Sequence, residues 1–274
     1  MGEKMKDTQQ SPIISVIMCV YNGEQTVMPA AMSILRQSFQ NLELLICDDA
    51  STDGTWAQLE ELSAADGRVR LLRNKQNLGA GASRNCCLAC ARGAYIALMD
   101  ADDSCAPDRL TKQKAVLDSR PELGFVGTRG VYGSGGSYWF LAAPNTVDFL
   151  MTLPFVHASL MFRREVFDAL GSYDDSARLR HSEDYDLLMR AYAAGYRGIN
   201  LSEPLYNIRA DSCFQRKQYR ERLYECVMKW QGFSRMGLMP WGIPFALKPL
   251  LVGLIPNRLL IWMKERYYTR WEKR

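Results

Sequence analysis

Apolar runs and polar breaks alternate along the first hundred residues in a regular order. Ile13 to Val20 is a β-rich apolar run that stops at Tyr21-Asn22-Gly23. Gln25 to Gln37 then spaces Val27, Ala30, Ala31, Ile34 and Leu35 at helical intervals. Leu42 to Cys47 reads as a second buried strand, closed by Asp48-Asp49. Ser51 to Thr55 is turn chemistry, with Thr52 or Asp53 placed to cap a helix that reaches Ala65. Val69 to Arg73 predicts a third strand, Asn74 to Gly81 a loop, and Ala82 to Arg92 a helix closed by Gly93. Tyr95 to Met99 is the fourth strand, and it runs straight into Asp100-Ala101-Asp102-Asp103.

That β-α-β-α-β-α-β order predicts an α/β fold with a mostly parallel, Rossmann-like sheet flanked by helices. Three strand ends then carry polar residues to one edge: Tyr21-Asn22, Asp48-Asp49 and Asp100 to Asp103. Open α/β sheets bind ligands at that edge. Past Lys112 the pattern loosens. Gly124 to Val131 and Ser137 to Leu141 read as strands around a glycine-rich loop, and Leu160 to Arg164 as a further strand. Phe167 to Tyr173 ends in a glycine turn, and Ser182 to Asp186 starts a helix that runs to Ala194. Gln215 onward is helical, charged and aromatic; from Met236 the chain is apolar, broken by prolines and basic at its end.

Composition bounds the rest. At 274 residues and 47% apolar content the chain builds one large α/β domain, with or without an appendage. A net charge of +4 is too mild for a nucleic-acid partner without a concentrated patch. Cys86, Cys87 and Cys90 lack the second ligand pair of a zinc site, so the cysteines read as buried free thiols in a reducing compartment. Residues 1–11 read as a flexible polar tail; the first dozen residues lack the apolar core of a secretory signal. No apolar stretch reaches the ~18 residues of a membrane span. Gly242 to Pro256 is broken by Pro244, Lys248, Pro249 and Pro256. A cytoplasmic protein is expected.

The chemistry concentrates at residues 100–103. Three carboxylates that close together repel, and raise each other's pKa, unless a cation sits among them. A divalent metal site beside a bound anion, with a diphosphate as first candidate, accounts for them. A solvated acidic turn is the alternative that an isolated D-x-D leaves open. An EF-hand loop is excluded, because Cys105 stands where Gly is needed and Thr111 where Glu is needed.

Five runs in order, SVIMCVYNGEQTV, ELLICDDASTDGT, NLGAGASRN, YIALMDADD and SEDYDL, resemble the family 2 glycosyltransferases over residues 13 to 210. The resemblance implies a GT-A fold and inverting, nucleotide-sugar-dependent transfer. It implies a catalytic domain over 12–212, with a nucleotide-sugar-binding half (12–110) and an acceptor-binding half (111–212). Residues 213–274 are then a C-terminal helical segment. Asp49 is similar to the family's base-reading carboxylate, which would accept the ring N–H of uracil and so select a UDP-sugar. Tyr21 would pack on the base beside the backbone of Val20 and Asn22, with Glu24 a weaker candidate for the same pocket. Gly79 and Gly81 permit close backbone approach, and Arg84 would reach a phosphate or help hold the nucleotide, with a plain loop glycine pair and a solvated Arg as the alternative.

Asp102 resembles the direct metal ligand, with Mn²⁺ or Mg²⁺ as the ion. Asp100, joined to it through Ala101, would touch the ribose or reach the metal through water; the role of Asp103 stays open. Asp184 resembles the catalytic base that takes the acceptor hydroxyl's proton. Glu183 would orient the acceptor, and His157 would line the acceptor side. A helix cap for the acidic pair and a plain structural role for His157 are the alternatives.

The family's processive members carry Q-x-x-R-W; here Tyr267 stands where that Gln would precede Arg270-Trp271. Transfer of a single sugar follows. Trp241 to Arg274 interleaves aromatic, apolar and basic residues, which suits a helix lying on an anionic membrane surface. The protein would then sit peripherally on the inner face of the plasma membrane and act on a lipid-linked saccharide. Docking on the catalytic domain or on a second subunit is the alternative. The expected function is transfer of one hexosyl or N-acetylhexosaminyl unit to a saccharide hydroxyl in cell-surface polysaccharide biosynthesis. Three other functions compete with this one. A nucleotidyltransferase wants a basic glycine-rich loop where Tyr21 to Glu24 stands. A glycosidase needs no metal cluster. A catalytically silent scaffold would have no use for the intact acidic set.

Overall fold

The computed structural model describes residues 11–133, 136–137, 140–176, 178–179, 182–209 and 218–255. Most of the expected N-terminal tail, and Arg270-Trp271 with the rest of the basic C-terminal stretch, lie outside the described residues. Strands β1 (Ile14–Val20), β2 (Leu42–Asp48), β3 (Val69–Arg73) and β4 (Tyr95–Asp100) alternate with helices α1 (Val27–Leu35), α2 (Thr55–Ala65) and α3 (Ala80–Cys90). These are the elements and the order that the apolar pattern predicts. The chain continues through β5 (Ser104–Cys105), α4 (Arg109–Ser119), β6 (Leu123–Tyr132), β7 (Met161–Arg163), α5 (Arg164–Leu170), α6 (Glu183–Ala193), β8 (Arg197–Ile208), α7 (Tyr219–Arg235) and α8 (Ile243–Leu254).

The strands form one sheet in the order β3-β2-β1-β4-β7-β6-β8-β5. β1 to β4 are parallel; β7 runs antiparallel between β4 and β6, and β5 antiparallel to β8. Both faces are covered, so successive residues feed two different cores. Ile14, Val16, Met18 and Val20 of β1 face one cluster with α1 and α2, while Ile17 faces the other with Cys87 of α3 and Leu187 of α6. β2 divides the same way, Leu44 and Ile46 against Leu45 and Cys47. This two-sided burial is why the early strands read as continuous apolar runs.

Four elements, α4, β5, α5 and β8, are absent from the sequence expectations. Helix α4 buries Arg109 and Gln113 beside Leu110 and Leu117, so half of its inward face is polar. Gln113 Nε2 donates to the carbonyls of Val126 (2.7 Å) and Ser159 (2.8 Å), which satisfies buried backbone no apolar side chain could serve. Strand β8 is interrupted by Ser202-Glu203-Pro204, and its pairing with β6 shifts register there. β5 is too short to leave a pattern. In the other direction, the strand expected over Ser137 to Leu141 is one isolated bridge, Val131 to Ser137; Phe140 and Leu141 lie outside any strand.

The C-terminal helices are part of the body. Met228 and Phe233 of α7 and Ala246 of α8 lie in the core cluster that holds Leu188 and Met189 of α6. Gly232 meets Met189 so closely that an added Cβ would lie 2.4 Å from its sulfur. No helix among the described residues is long and apolar enough to cross a membrane.

One buried carboxylate ties the amino-terminal edge of the sheet together. Glu43 on β2 accepts from Ser15 Oγ of β1 (2.6 Å), from the Arg92 amide (2.8 Å) and from Arg70 of β3 (2.7 Å). Gly93 completes the junction, donating to Ser15 Oγ at 2.8 Å. A Cβ there would sit 2.5 Å from the Ser15 backbone nitrogen. These hydrogen bonds and both arginines hold the Glu43 carboxyl below its usual range against the opposing effect of burial. Glu43→Gln should lower the unfolding free energy by about 2 kcal/mol in urea titrations at neutral pH. Because the folded pKa is the lower one, this contribution is present above the ordinary value of 4.5 and is lost as pH falls through the folded value. The difference between wild type and variant should therefore shrink in acid.

Candidate active site

Strand register brings the three polar strand ends level. Cys19 pairs with Asp100, and Val20 with Asp48. Tyr21, Asp49 and Asp100 to Asp103 therefore leave the sheet on one edge. The Val20 carbonyl accepts the Asp49 amide at 2.8 Å and fixes where that residue turns. Asn22 and Ala50 follow these strands with φ of 52° and 64°, a left-handed conformation that is unfavourable for alanine. Asn22 ties the two loops together: its amide donates to Ser51 Oγ at 2.9 Å, and its Oδ1 accepts the Thr52 amide at 2.8 Å.

A cleft of about 280 Å³ opens at this edge, with Tyr21, Asp49, Gly79 and Glu183 in its wall. Tyr21 is 51% exposed there, so it is no core aromatic. Asp49 is 3% exposed and already well used. Its Oδ1 accepts from Asn74 Nδ2 (2.7 Å) and the Leu78 amide (2.9 Å), and its Oδ2 from the Gly79 amide (2.8 Å). A carboxylate offers about four acceptor sites, so one on Oδ2 is left. Gly79, with φ of 93°, turns the chain into α3, whose first turn (Ala80, Gly81, Ala82) lines the cleft and has no side-chain cap. Asp48 lies behind, capping the Ser51 amide (3.2 Å) and paired with Arg73 (3.0 Å). The Glu24 side chain packs over Gly54 instead of lining the cleft, and Ala101 is buried.

Asp100, Asp102 and Asp103 present oxygens that all lie within 4.8 Å of one another, a set that can hold a metal ion. The Asp103 carboxyl is pushed up to about 6, by burial first and by Asp100 among the nearby charges. Asp102 reaches into solvent, yet is also pushed up, by the surrounding protein first and Asp100 second. Mutual repulsion of this kind is what a bound dication relieves, and an all-carboxylate donor set suits Mg²⁺ or Mn²⁺. Strand β8 supports the cluster. The Arg209 amide donates to Asp103 Oδ1 at 2.8 Å, and the Asp100 amide to the Tyr206 hydroxyl at 3.2 Å. Tyr206 is itself packed under the buried Arg109 guanidinium, 5.2 Å from its ring.

Arg84 joins the two halves of the site. From α3 its guanidinium reaches Asp100 at 3.2 Å and Glu183, at the start of α6, at 3.1 Å. Sequence reasoning pairs Arg84 with a phosphate; the structure gives it two carboxylates. Glu183 Oε2 is buried without a partner on the protein and belongs to the cleft wall. Asp184, next in α6, is half-buried, and its Oδ1 accepts the Tyr185 amide at 2.8 Å. His157 lies deeper, 9% exposed, its Nε2 3.0 Å from the Tyr173 hydroxyl. Burial, then the nearby Arg84 charge, holds its imidazole well below the usual range, so it is neutral. The Arg84 guanidinium lies 5.7 Å from the Tyr173 ring. His157 thus backs the residue that backs Arg84.

Several cleft residues escape sequence reasoning: Asp174, Asp175, Ser176 and Leu179, on the stretch between α5 and α6. A Gly turn followed by Tyr-Asp-Asp is the sole signal there, and it is shared with any surface turn.

Comparison with known proteins bears on the family and the fold. The model of "Glycosyl transferase family 2" matches residues 15–173, and that of "Glycosyl transferase family group 2" matches residues 95–270. EpsE of Bacillus subtilis (strain 168), which bears the name of a glycosyltransferase, is 37% identical over 94% of this chain and 94% of its own length. The UDP-Glc:alpha-D-GlcNAc-diphosphoundecaprenol beta-1,3-glucosyltransferase WfaP of Escherichia coli is 28% identical over 73% of this chain and 79% of its own. Among solved structures, S. aureus TarS 1-349 in complex with UDP-GlcNAc superposes with a TM-score of 0.69 at 19% identity, over 89% of this chain and 76% of that one. The mannosyltransferase PcManGT of Pyrobaculum calidifontis, in complex with GDP-Man and Mn2+, gives 0.61 at 20%, over 94% and 80%. The neighbours share the α/β fold with a mostly parallel central sheet. A family model over more than half the chain, on a fold that gathers all five motifs at one sheet edge, shows that this chain belongs to glycosyl transferase family 2.

Proposed function

We propose that this enzyme moves one sugar from a UDP-sugar to a hydroxyl of a lipid-linked saccharide, with inversion, in the assembly of a cell-surface polysaccharide. One observation carries the reading: Arg84 physically couples the carboxylate cluster at the end of β4 to Glu183 in the cleft wall. A donor diphosphate and an acceptor hydroxyl would then meet on either side of one fixed cation. The names of relatives point the same way, since WfaP uses UDP-Glc and a diphosphoundecaprenol-linked acceptor, and TarS binds UDP-GlcNAc.

Each residue has a place in the chemistry. The ring of Tyr21 offers a stacking surface for the base, and the fourth acceptor site of Asp49 takes its ring N–H. The uncapped first turn of α3 presents amides to an anion in the same cleft. Asp102, with Asp100 and Asp103, would hold Mn²⁺ or Mg²⁺; when bound, the ion supplies positive charge against the departing diphosphate. Asp184 removes the acceptor hydroxyl's proton as that oxygen attacks the anomeric carbon from the face opposite the leaving group. Glu183 Oε2, buried and unpartnered, accepts a hydrogen bond from the acceptor and orients it. His157 acts through Tyr173 on Arg84 and does not touch the sugar.

Calorimetric titration with UDP should show binding that depends on Mn²⁺, and Asp102→Asn should abolish the metal dependence while leaving the circular dichroism unchanged. Metal-independent binding of equal strength in both proteins would remove Asp102 from the role of ligand. Screening UDP-sugars for transfer supplies the donor for kinetics. There, Asp184→Asn should lower kcat by about 10²–10⁴, and Glu183→Gln should chiefly raise KM for the acceptor. If Glu183→Gln instead costs as much kcat as Asp184→Asn, the base is Glu183. Arg84→Lys keeps the charge but loses the fork that spans two carboxylates, and should lower kcat/KM by at least about tenfold.

A further inference from the structure

Helices α7 and α8 bury one face each and leave the other face apolar and uncovered. On α7 the buried residues are Arg222, against Gly253 of α8, and Met228, Gly232 and Phe233, in or against the core shared with α6. On the opposite side Tyr219, Leu223, Val227 and Trp230 recur at the three- and four-residue spacing of a single helix stripe, and all are exposed. Helix α8 repeats the arrangement, with Ala246 and Pro249 buried and Leu247, Leu251 and Leu254 exposed. The helices run antiparallel: Gly242 approaches Phe233, and Gly253 approaches Tyr219 and Arg222. The α8 stripe therefore ends at Leu254, beside the residue where the α7 stripe begins. Trp241, in the turn between the helices, is 81% exposed. Uncovered apolar surface of this extent marks an interaction site.

The charges around it select the partner. Over residues 218–255 the exposed charged side chains are Arg220, Arg235 and Lys248, all cationic. Glu221 and Glu225 are partly buried, and Glu225 is paired with Lys229 at 3.1 Å. A second copy of the chain would bring this cationic rim against itself, because a two-fold contact places the same patch on both sides. An anionic surface meets no such repulsion. Past Ile255 the sequence adds Arg258, Lys264, Arg266, Arg270, Lys273 and Arg274 against Glu265 and Glu272, a further positive excess in the chain that follows α8. Tryptophan and tyrosine rings beside aliphatic side chains and cations match the layered chemistry of a bilayer surface, apolar below and anionic above.

We infer that the outer face of the α7–α8 hairpin is a docking surface for anionic phospholipid, with Trp241, Leu251 and Leu254 entering the headgroup region and Lys248 and Arg220 contacting phosphates. The surface stands on its own observations; its use, keeping the cleft beside a lipid-linked acceptor, rests on the transferase reading.

Vesicle co-sedimentation of the full-length protein tests it. Partitioning onto phosphatidylcholine vesicles that contain phosphatidylglycerol should exceed that onto phosphatidylcholine alone by at least about tenfold. The triple variant Trp241→Ser, Leu251→Ser, Leu254→Ser should lower binding to the anionic vesicles by at least about tenfold. Its circular dichroism and its Mn²⁺-dependent UDP binding should equal those of wild type, which separates lost docking from lost fold. A variant that misfolds is replaced by Lys248→Glu with Arg220→Glu, which should lose the preference for anionic vesicles. Absence of vesicle binding, equal binding to both vesicle types, or undiminished binding by the folded variants overturns the inference. Self-association of wild type without vesicle binding overturns it as well and assigns the face to a second copy. UDP binding is measured without vesicles, so failure of the docking surface and failure of the transferase reading are told apart.

Discussion

Like-charge repulsion among Asp100, Asp102 and Asp103 is the constraint around which this molecule is arranged. Buried strands end most comfortably in neutral turns, and here β4 ends in three carboxylates whose oxygens crowd within 4.8 Å. Every neighbouring element brings something that makes the crowding tolerable. Helix α3 brings the Arg84 guanidinium, β8 brings the Tyr206 hydroxyl, and the residue just past β8 brings the Arg209 amide. Helix α4 brings the Arg109 guanidinium over the Tyr206 ring. The Asp102 and Asp103 carboxyls are still raised, by burial first and then by the Asp100 charge, so the protein alone does not fully stabilise them as carboxylates. A site left in that condition is prepared for a dication, in the same way that an unpaired buried group is prepared for a ligand.

The two ends of the sheet divide the work. At the amino-terminal edge Glu43 is saturated by donors from β1, β3 and the turn into β4, and nothing is left to bind. That closed network holds the register of the parallel strands. At the other edge the polar groups are satisfied in part. Asp49 keeps one acceptor position, Glu183 one whole oxygen, and the first turn of α3 its amides. Structural carboxylates and ligand-facing ones are thus told apart by how completely the protein serves them.

The C-terminal helices extend the same economy of faces. Each buries one side against α6 or its partner and leaves the other apolar. Such a hairpin is both a piece of the core and a surface, so docking on the catalytic body and docking elsewhere are not exclusive.

How much of this is legible in the residues depends on how local the signal is. The first four strands and three helices are readable because burial on both faces makes each strand an unbroken apolar run, and because Gly93 marks the turn between α3 and β4. The converging acidic strand ends follow from the parallel order, since parallel strands in one sheet share a carboxyl edge. The five motifs in order carry the family. Helix α4 and strand β8 are hidden, because Arg109, Gln113 and Asn200 are buried polar residues whose partners come from other strands and loops. The same distance hides what Arg84 does. Its sequence neighbours suggest a phosphate, and its actual partners lie 16 and 99 residues away. His157 moves from the acceptor side to a place behind Tyr173 for the same reason. Residue types and their order along the chain therefore determined the family, the parallel half of the sheet and the location of the acidic edge. The tertiary structure alone decided which carboxylates are consumed by the protein and which are left open, because that depends on donors supplied across the fold.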